Sequence, residues 1–235
     1  MLFDNASSDD RYKRRRMDDF DKLLRAAGLG VSRRALDAAY EASGAYLSRL
    51  WSDHRDVPVH GHVSAILAAL DRDLPRHVAP SLMAELVDAY ARPALLVPPA
   101  VDPGARAALE TIAARGCTLV LVSNTMRTPG ATLRKLLERY GVLGYFKHTT
   151  FSDEVGIRKP APEIFALSLR AVGGDPATAV HVGDDAVLDV EGARAAGMRV
   201  IQVRTTSGRP PAGQVADAVI PSMAELPVAL EQLDR

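Results

Sequence analysis

"VHVGDDAVLD", residues 180–189, begins as an apolar strand and stops at Gly183, after which Asp184, Asp185 and Asp189 follow in quick succession. Two carboxylates about 5 Å apart repel by about 3 kcal/mol at an effective dielectric near 20. A fold does not need that much negative charge where a buried strand ends, so the cluster calls for a cation. Mg²⁺ suits it, because this ion binds through one or two carboxylates together with water and phosphate oxygens.

Outward from this stretch, strands and helices alternate. Upstream, "TLVLVSN" (118–124) is apolar along its length, as expected of a strand covered by helices on both faces. A helix over about 130–140, a short strand near "HTTF" (148–151) and a helix from Pro162 come between. Downstream lie a helix in "VEGARAAG" (190–197), a strand in "RVIQV" (199–203), then "AVI" (218–220) and "MAELPVALEQL" (223–233). The helix in "DPGARAALETIAARG" (102–116) is expected to use Asp102 as N-cap, with Pro103 in its first turn and Gly116 as its stop. Repeated strand–helix units predict an α/β fold with a doubly wound parallel sheet, whose ligands bind beyond the carboxyl ends of the strands.

The first hundred residues have helical periodicity instead. Met17, Phe20, Leu23, Leu24 and Ala27 recur at helical spacing and stop at Gly28. Ser32 is placed to cap a second helix marked by Leu36, Tyr40, Leu47, Leu50 and Trp51. "HVSAILAAL" and "SLMAELVDAY" give two more, and the Met, Trp and Tyr side chains read as packing. The pattern predicts a helical cap domain over residues 10–95 and a Rossmann-like core over 96–235. His60 and His62 are expected in a loop preceding a helix rather than on a metal, since no further His or Cys lies nearby.

Composition sets broad limits. The 235 residues are 47% apolar and 25% charged, with a formal net charge of zero, which gives no reason to expect nucleic acid or a membrane as partner. The basic run "RYKRRR" (11–16) precedes "DDFD" (18–21) and reads as a solvated helix face. A single cysteine, Cys117, excludes an internal disulfide framework, fits a reducing compartment and is expected to be a buried structural thiol. No apolar stretch reaches membrane-spanning length, and "MLFDNASSDD" has no signal-peptide core, so the expected location is cytoplasmic.

Three strand ends or following loops carry the polar chemistry. The first delivers Ser123, Asn124 and Thr125, hydroxyl and backbone donors for phosphoryl oxygens; the second delivers Lys159, followed by Pro160; the third delivers Asp184, Asp185 and Asp189. A Gly-Asp after a strand, a Lys-Pro, or a strand ending in serine is commonplace alone. In this order on successive parallel strands, they point together to a metal and phosphate site.

These residues resemble those of the haloacid dehalogenase-like hydrolases. "LVLVSNT" is similar to that family's second motif, "GIRKPAPEIF" to the third, and "HVGDDAVLDVEGARAAGM" to the fourth, with a further Asp five residues after the first. The resemblance spans about residues 95–235, and the helical first half looks like the cap of one large branch. It implies an aspartate nucleophile, a phosphoaspartyl intermediate, Mg²⁺ and a small phosphorylated substrate. Ser123 would bind the phosphoryl group, with Asn124 and Thr125 beside it. Lys159 would offset charge, Asp184 would ligate Mg²⁺, and Asp189 would orient Lys159 or a metal-bound water. Asp185 is left without a role.

The family's first motif is the departure. Asp4, with Ala6 and Ser8 at the motif's further offsets, is the candidate in "FDNASS", and just Met1, Leu2 and Phe3 precede it. Three readings stand: the strand and its aspartates lie upstream of Met1; Asp4 is the nucleophile of a degenerate motif; or the fold serves binding or regulation. The first is favoured, and with it little or no phosphatase activity from residues 1–235 alone. A metal-independent dehalogenase or a carbon–phosphorus hydrolase is the enzyme alternative. The expected state is a monomer or homodimer.

Overall fold

The computed structural model describes residues 2–3, 6–204 and 215–233. Its first part is helical: α1 (Ala6–Ala26), α2 (Arg33–Ser52), α3 (Val59–Leu70), α4 (Leu74–His77), α5 (Pro80–Ala91) and α6 (Pro93–Leu96). The apolar residues spaced along α1 explain why it packs. Met17, Phe20 and Leu24 meet Leu36 and Tyr40 of α2, Ile66 and Leu67 of α3, and Leu86 and Tyr90 of α5 in one buried cluster. Full burial of each such aliphatic side chain contributes about 1.5–3 kcal/mol. Ser32 caps α2 as expected, its Oγ accepting from Ala35 N at 3.2 Å.

Strands then alternate with helices. Strand β1 (Leu2–Phe3) pairs antiparallel with β2 (Ala100–Val101). The chain continues through α7 (Ala105–Ala114), β3 (Leu119–Ser123), α8 (Gly130–Arg139), β4 (Phe146–Phe151), α9 (Ser152–Val155) and α10 (Pro162–Arg170). It ends through β5 (Val180–Gly183), α11 (Gly192–Ala195), β6 (Arg199–Val203), β7 (Ala218–Ile220) and α12 (Leu226–Leu233). Successive side chains of β6 point to opposite faces. Ile201 and Val203 accordingly pack with Ala105, Ala108 and Ile112 of α7, and Val200 with Ile164 and Phe165 of α10. The fold is α/β, with parallel strands covered on both faces and a helical cap.

The parallel strands do not form one continuous ladder. β3 pairs with β4 in one sheet, and β5, β6 and β7 form another, all in parallel register. Leu119 of β3 and Val180 and Val182 of β5 pack into the same cluster beneath α7, so both sheets belong to one layer. Among the described residues, however, β3 and β5 share no ladder. All residues of both are half-buried, whereas Val200, Ile201 and Val203 of β6 are buried.

Four local expectations are corrected. Cys117 is exposed, because it precedes β3 rather than lying in it. Asp102 does not cap α7, where Gly104 holds that position; its carboxylate instead accepts from Gly104 N and from Met223 N, tying α7 to the C-terminal segment. His60 and His62 lie within α3, and His62 is buried. Arg16 leaves the solvated face of α1: it is 2% exposed and donates to Tyr90 O, Tyr40 Oη and Arg127 O.

Candidate active site

Where β3 ends, Ser123 and Asn124 turn toward the loop that precedes α10. The Asn124 side chain holds the main chain of Lys159 from both sides, donating from Nδ2 to Lys159 O at 2.9 Å and accepting from Lys159 N at 2.8 Å. The Lys159–Pro160 peptide is cis. The Lys159 ammonium in turn lies 2.5 Å from Asp189 Oδ1. Side chains after β3, before α10 and after β5 therefore meet at one end of the layer.

Asp189 is the most enclosed of them. Its Oδ1 also lies 2.9 Å from His181 Nε2, and its Oδ2 accepts from the backbone N–H groups of Asp184 and Asp185 at 3.1 and 3.0 Å. Burial pushes the Asp189 carboxyl up, but Lys159 and then His181 outweigh burial and hold it well below the usual carboxylate range. The Phe165 ring packs edge-on against His181 at 5.0 Å between centroids, which fixes the imidazole.

The two acidic residues beside Gly183 differ in use. Asp185 Oδ1 accepts from Val187 N and Leu188 N at 2.9 Å, capping the π-helical stretch Ala186–Glu191 that carries Asp189 inward. Asp184 follows Gly183 directly, and its carbonyl is held by Gln202 Nε2 at 3.1 Å. Among the described residues no group of three or more His, Cys, Asp or Glu side chains is placed to enclose a metal. Asp189 is tied to Lys159 and Asp185 to its cap, and Asp184 stands beside both at the end of β5. One carboxylate fits Mg²⁺ that takes its other oxygens from water and phosphate.

The remaining predicted residues separate. Ser123 is half-buried, and its Oγ makes a 3.5 Å approach to Asn124 O, too long to engage it fully. Thr125 is 1% exposed and turns inward, where its hydroxyl meets Ser152 Oγ at 3.1 Å and accepts from Asp153 N at 3.2 Å. Asp4 lies outside the described residues. Sequence reasoning missed His181, a polar residue in an otherwise apolar strand, and Arg158, a second cation immediately before Lys159.

This arrangement can be compared with known proteins. The profile of the haloacid dehalogenase-like hydrolases matches residues 11–197. The chain belongs to this family. Such a hydrolase is similar to the phosphoserine phosphatase of Thermus thermophilus, at 38% identity over 53% of this chain and 48% of that protein. It is also similar to the haloacid dehalogenase-like hydrolase domain-containing protein 3 of Bos taurus, at 35% identity over 56% and 52% of the two chains. The chain thus spans about half the length of the curated relatives it matches. Among solved structures, a 2-haloacid dehalogenase of Pseudomonas syringae pv. Tomato aligns with a TM-score of 0.69 at 25% identity, over 99% of this chain and 94% of the other. A haloacid dehalogenase-like phosphatase of Thermococcus onnurineus aligns with a TM-score of 0.58 at 26% identity, over 92% and 87%. Proteins named as phosphatases thus stand among those this chain is similar to.

Proposed function

We propose that this chain is a Mg²⁺-dependent phosphatase acting on small phosphorylated metabolites through an aspartyl-phosphate. The observation that carries this reading is the Lys159–Asp189 pair, held against the Ser123–Asn124 turn and next to Asp184. Residues 10–95 act as the cap, residues 96–235 as the core, and the substrate is enclosed between them. The phosphatase names of the relatives in Thermus and Thermococcus support the reaction class. The enzyme works in the cytoplasm as a monomer or homodimer, without nucleic acid or membrane.

Each side chain has a role in this reading. The Ser123 hydroxyl donates to an oxygen of the transferring group, and Lys159 offsets the charge that builds up there. Asp189 holds Lys159 in place, and Asn124 fixes the main chain from which Lys159 extends. Thr125 shapes the turn from within. Asp184 would hold Mg²⁺, which when bound polarises the phosphoryl group and neutralises its charge. In this reading the attacking group is an aspartate carboxylate beside Lys159 and Asp184.

Release of phosphate from small phosphate esters tests this, with and without chelator, in residues 1–235 and in any longer natural form of the chain. Turnover is expected in the form that carries the attacking aspartate, with loss on chelation and in Lys159→Met. The structural likeness to a 2-haloacid dehalogenase favours one second reading, metal-independent release of halide from 2-haloacids. Halide release that persists in chelator, with no phosphate release, would replace the phosphatase.

A further inference from the structure

The cap reaches into the core at a buried carboxylate. Asp56, between α2 and α3, has a carboxylate with no exposed surface, 2.6 Å from Arg158 Nη1. It also accepts from Ser152 Oγ at 2.5 Å, Val57 N at 2.9 Å and Trp51 Nε1 at 3.2 Å. Burial pushes this carboxyl up, and its surroundings, His62, Ser152 and Arg158 among them, bring it below its ordinary value. The backbone repeats the connection: Arg158 N donates to His54 O at 2.9 Å and Asp56 N to Gly156 O at 3.0 Å, with Arg55 and Ile157 forming an antiparallel bridge. His54 adopts a left-handed φ of 55° to make this turn, a conformation that is uncommon for a residue with a side chain.

Arg158 passes the connection on. The same Nη1 that meets Asp56 also donates to Thr125 O at 2.8 Å, and the guanidinium lies 4.4 Å from the centre of the Trp51 ring. Thr125 follows Ser123 and Asn124, and Arg158 immediately precedes Lys159. One buried guanidinium thus ties the segment after β3, the segment before α10 and the cap to each other. Asn124 grips Lys159 from the other side.

We infer that Asp56 is a positioning residue for the core site: through Arg158 it fixes where Lys159 and the Ser123–Thr125 turn stand. It touches no substrate. This rests on the reading of Lys159 and Ser123 as phosphoryl-binding groups. A cap that merely covered the site would need no such ion pair, and replacing the pair would then change stability alone.

The test uses tungstate, a phosphoryl analogue, titrated calorimetrically into the full chain, with kcat and KM for a phosphate ester in whichever form turns over. Asp56→Asn is expected to weaken tungstate binding about tenfold and to lower kcat about as much, with KM changed far less. Leu86→Ala, in the separate cap cluster, is the reference for lost stability and should leave tungstate binding unchanged wherever it is folded. Should Asp56→Asn fail to fold, Arg158→Lys serves, since the shorter lysine stops one bond short of the Nη1 position that meets both Asp56 and Thr125 O. Tungstate binding as in the unsubstituted chain for the folded variant, or an equal loss in Leu86→Ala, overturns the inference. Tungstate binding without hydrolysis in any form of the chain overturns the phosphatase and leaves the tungstate comparison to decide the role of Asp56. One that binds no tungstate overturns both.

Discussion

Gly183 and Asp189 are packed so closely that a β-carbon on Gly183 would stand 2.2 Å from the Asp189 carboxyl carbon. The glycine at the end of β5 is therefore there for approach: it lets the carboxylate lie against the strand and reach both Lys159 and the backbone of Asp184. Gly183→Ala is expected to displace Asp189, with an overpacking cost of about 1–3 kcal/mol. Tungstate binding should fall with it. A crystal structure of the variant with the Lys159–Asp189 contact intact would count against this account.

Removing charge from Asp189 should cost more than removing it from a surface pair. The Asp189 side chain is 4% exposed and that of Lys159 is 13% exposed, so breaking the pair strands a cation in a poorly hydrated place. Asp189→Asn is expected to lose about 3–5 kcal/mol at neutral pH. Because the folded-state value of Asp189 is depressed, its contribution is complete above the unfolded value of about 3.9 and is lost as the pH falls from there toward the folded value. Asp56 shifts in the same direction. Urea unfolding between neutral and acid pH should show a stability loss below pH ~4 that is shallower in Asp189→Asn; equal slopes would be the contrary result.

Asp184 and Asp185 should separate in a thermal-shift experiment with millimolar Mg²⁺. Asp184→Asn is expected to abolish the stabilisation that Mg²⁺ brings. Asp185→Ala loses a helix cap and should lower the baseline by about 1 kcal/mol while keeping the Mg²⁺ response. Asp185→Asn keeps a capping oxygen and should lower it little. If the Mg²⁺ response is lost with Asp185 and kept without Asp184, the ligand assignment is reversed.

Arg16 offers a test confined to the cap and its contact with the loop after β3. Its guanidinium serves Tyr90 O, Tyr40 Oη and Arg127 O and lies 4.5 Å from the centre of the Tyr90 ring. Arg16→Met leaves buried acceptors without a donor, at an expected cost of about 1–3 kcal/mol. Denaturant unfolding measures it. A change within about 0.5 kcal/mol would place Arg16 among ordinary surface residues.

The order of strands and helices was legible because apolar runs ending in Gly or Ser mark buried parallel strands whatever their neighbours. The meeting of Asn124, Lys159 and Asp189 followed from that order, since parallel strands bring their carboxyl ends to one side. Pairing was less legible. Nothing in "TLVLVSN" or "AVHV" says which strand lies alongside, and the break between β3 and β5 shows only in space. Thr125 could not be separated from Ser123, as both are hydroxyls two positions apart. The partners that turn one inward, Ser152 and Asp56, come from distant segments. The run "RYKRRR" hid a buried arginine because helical phase, more than charge density, decides which of its members faces the core.

The two half-covered strands bear on how the protein behaves in company. An extended apolar strand with donors and acceptors along one side is a template for another chain. The edges of β3 and β5 without a ladder partner among the described residues mark where a further strand, of this chain or another, would add to the layer beside Ser123 and Asp184.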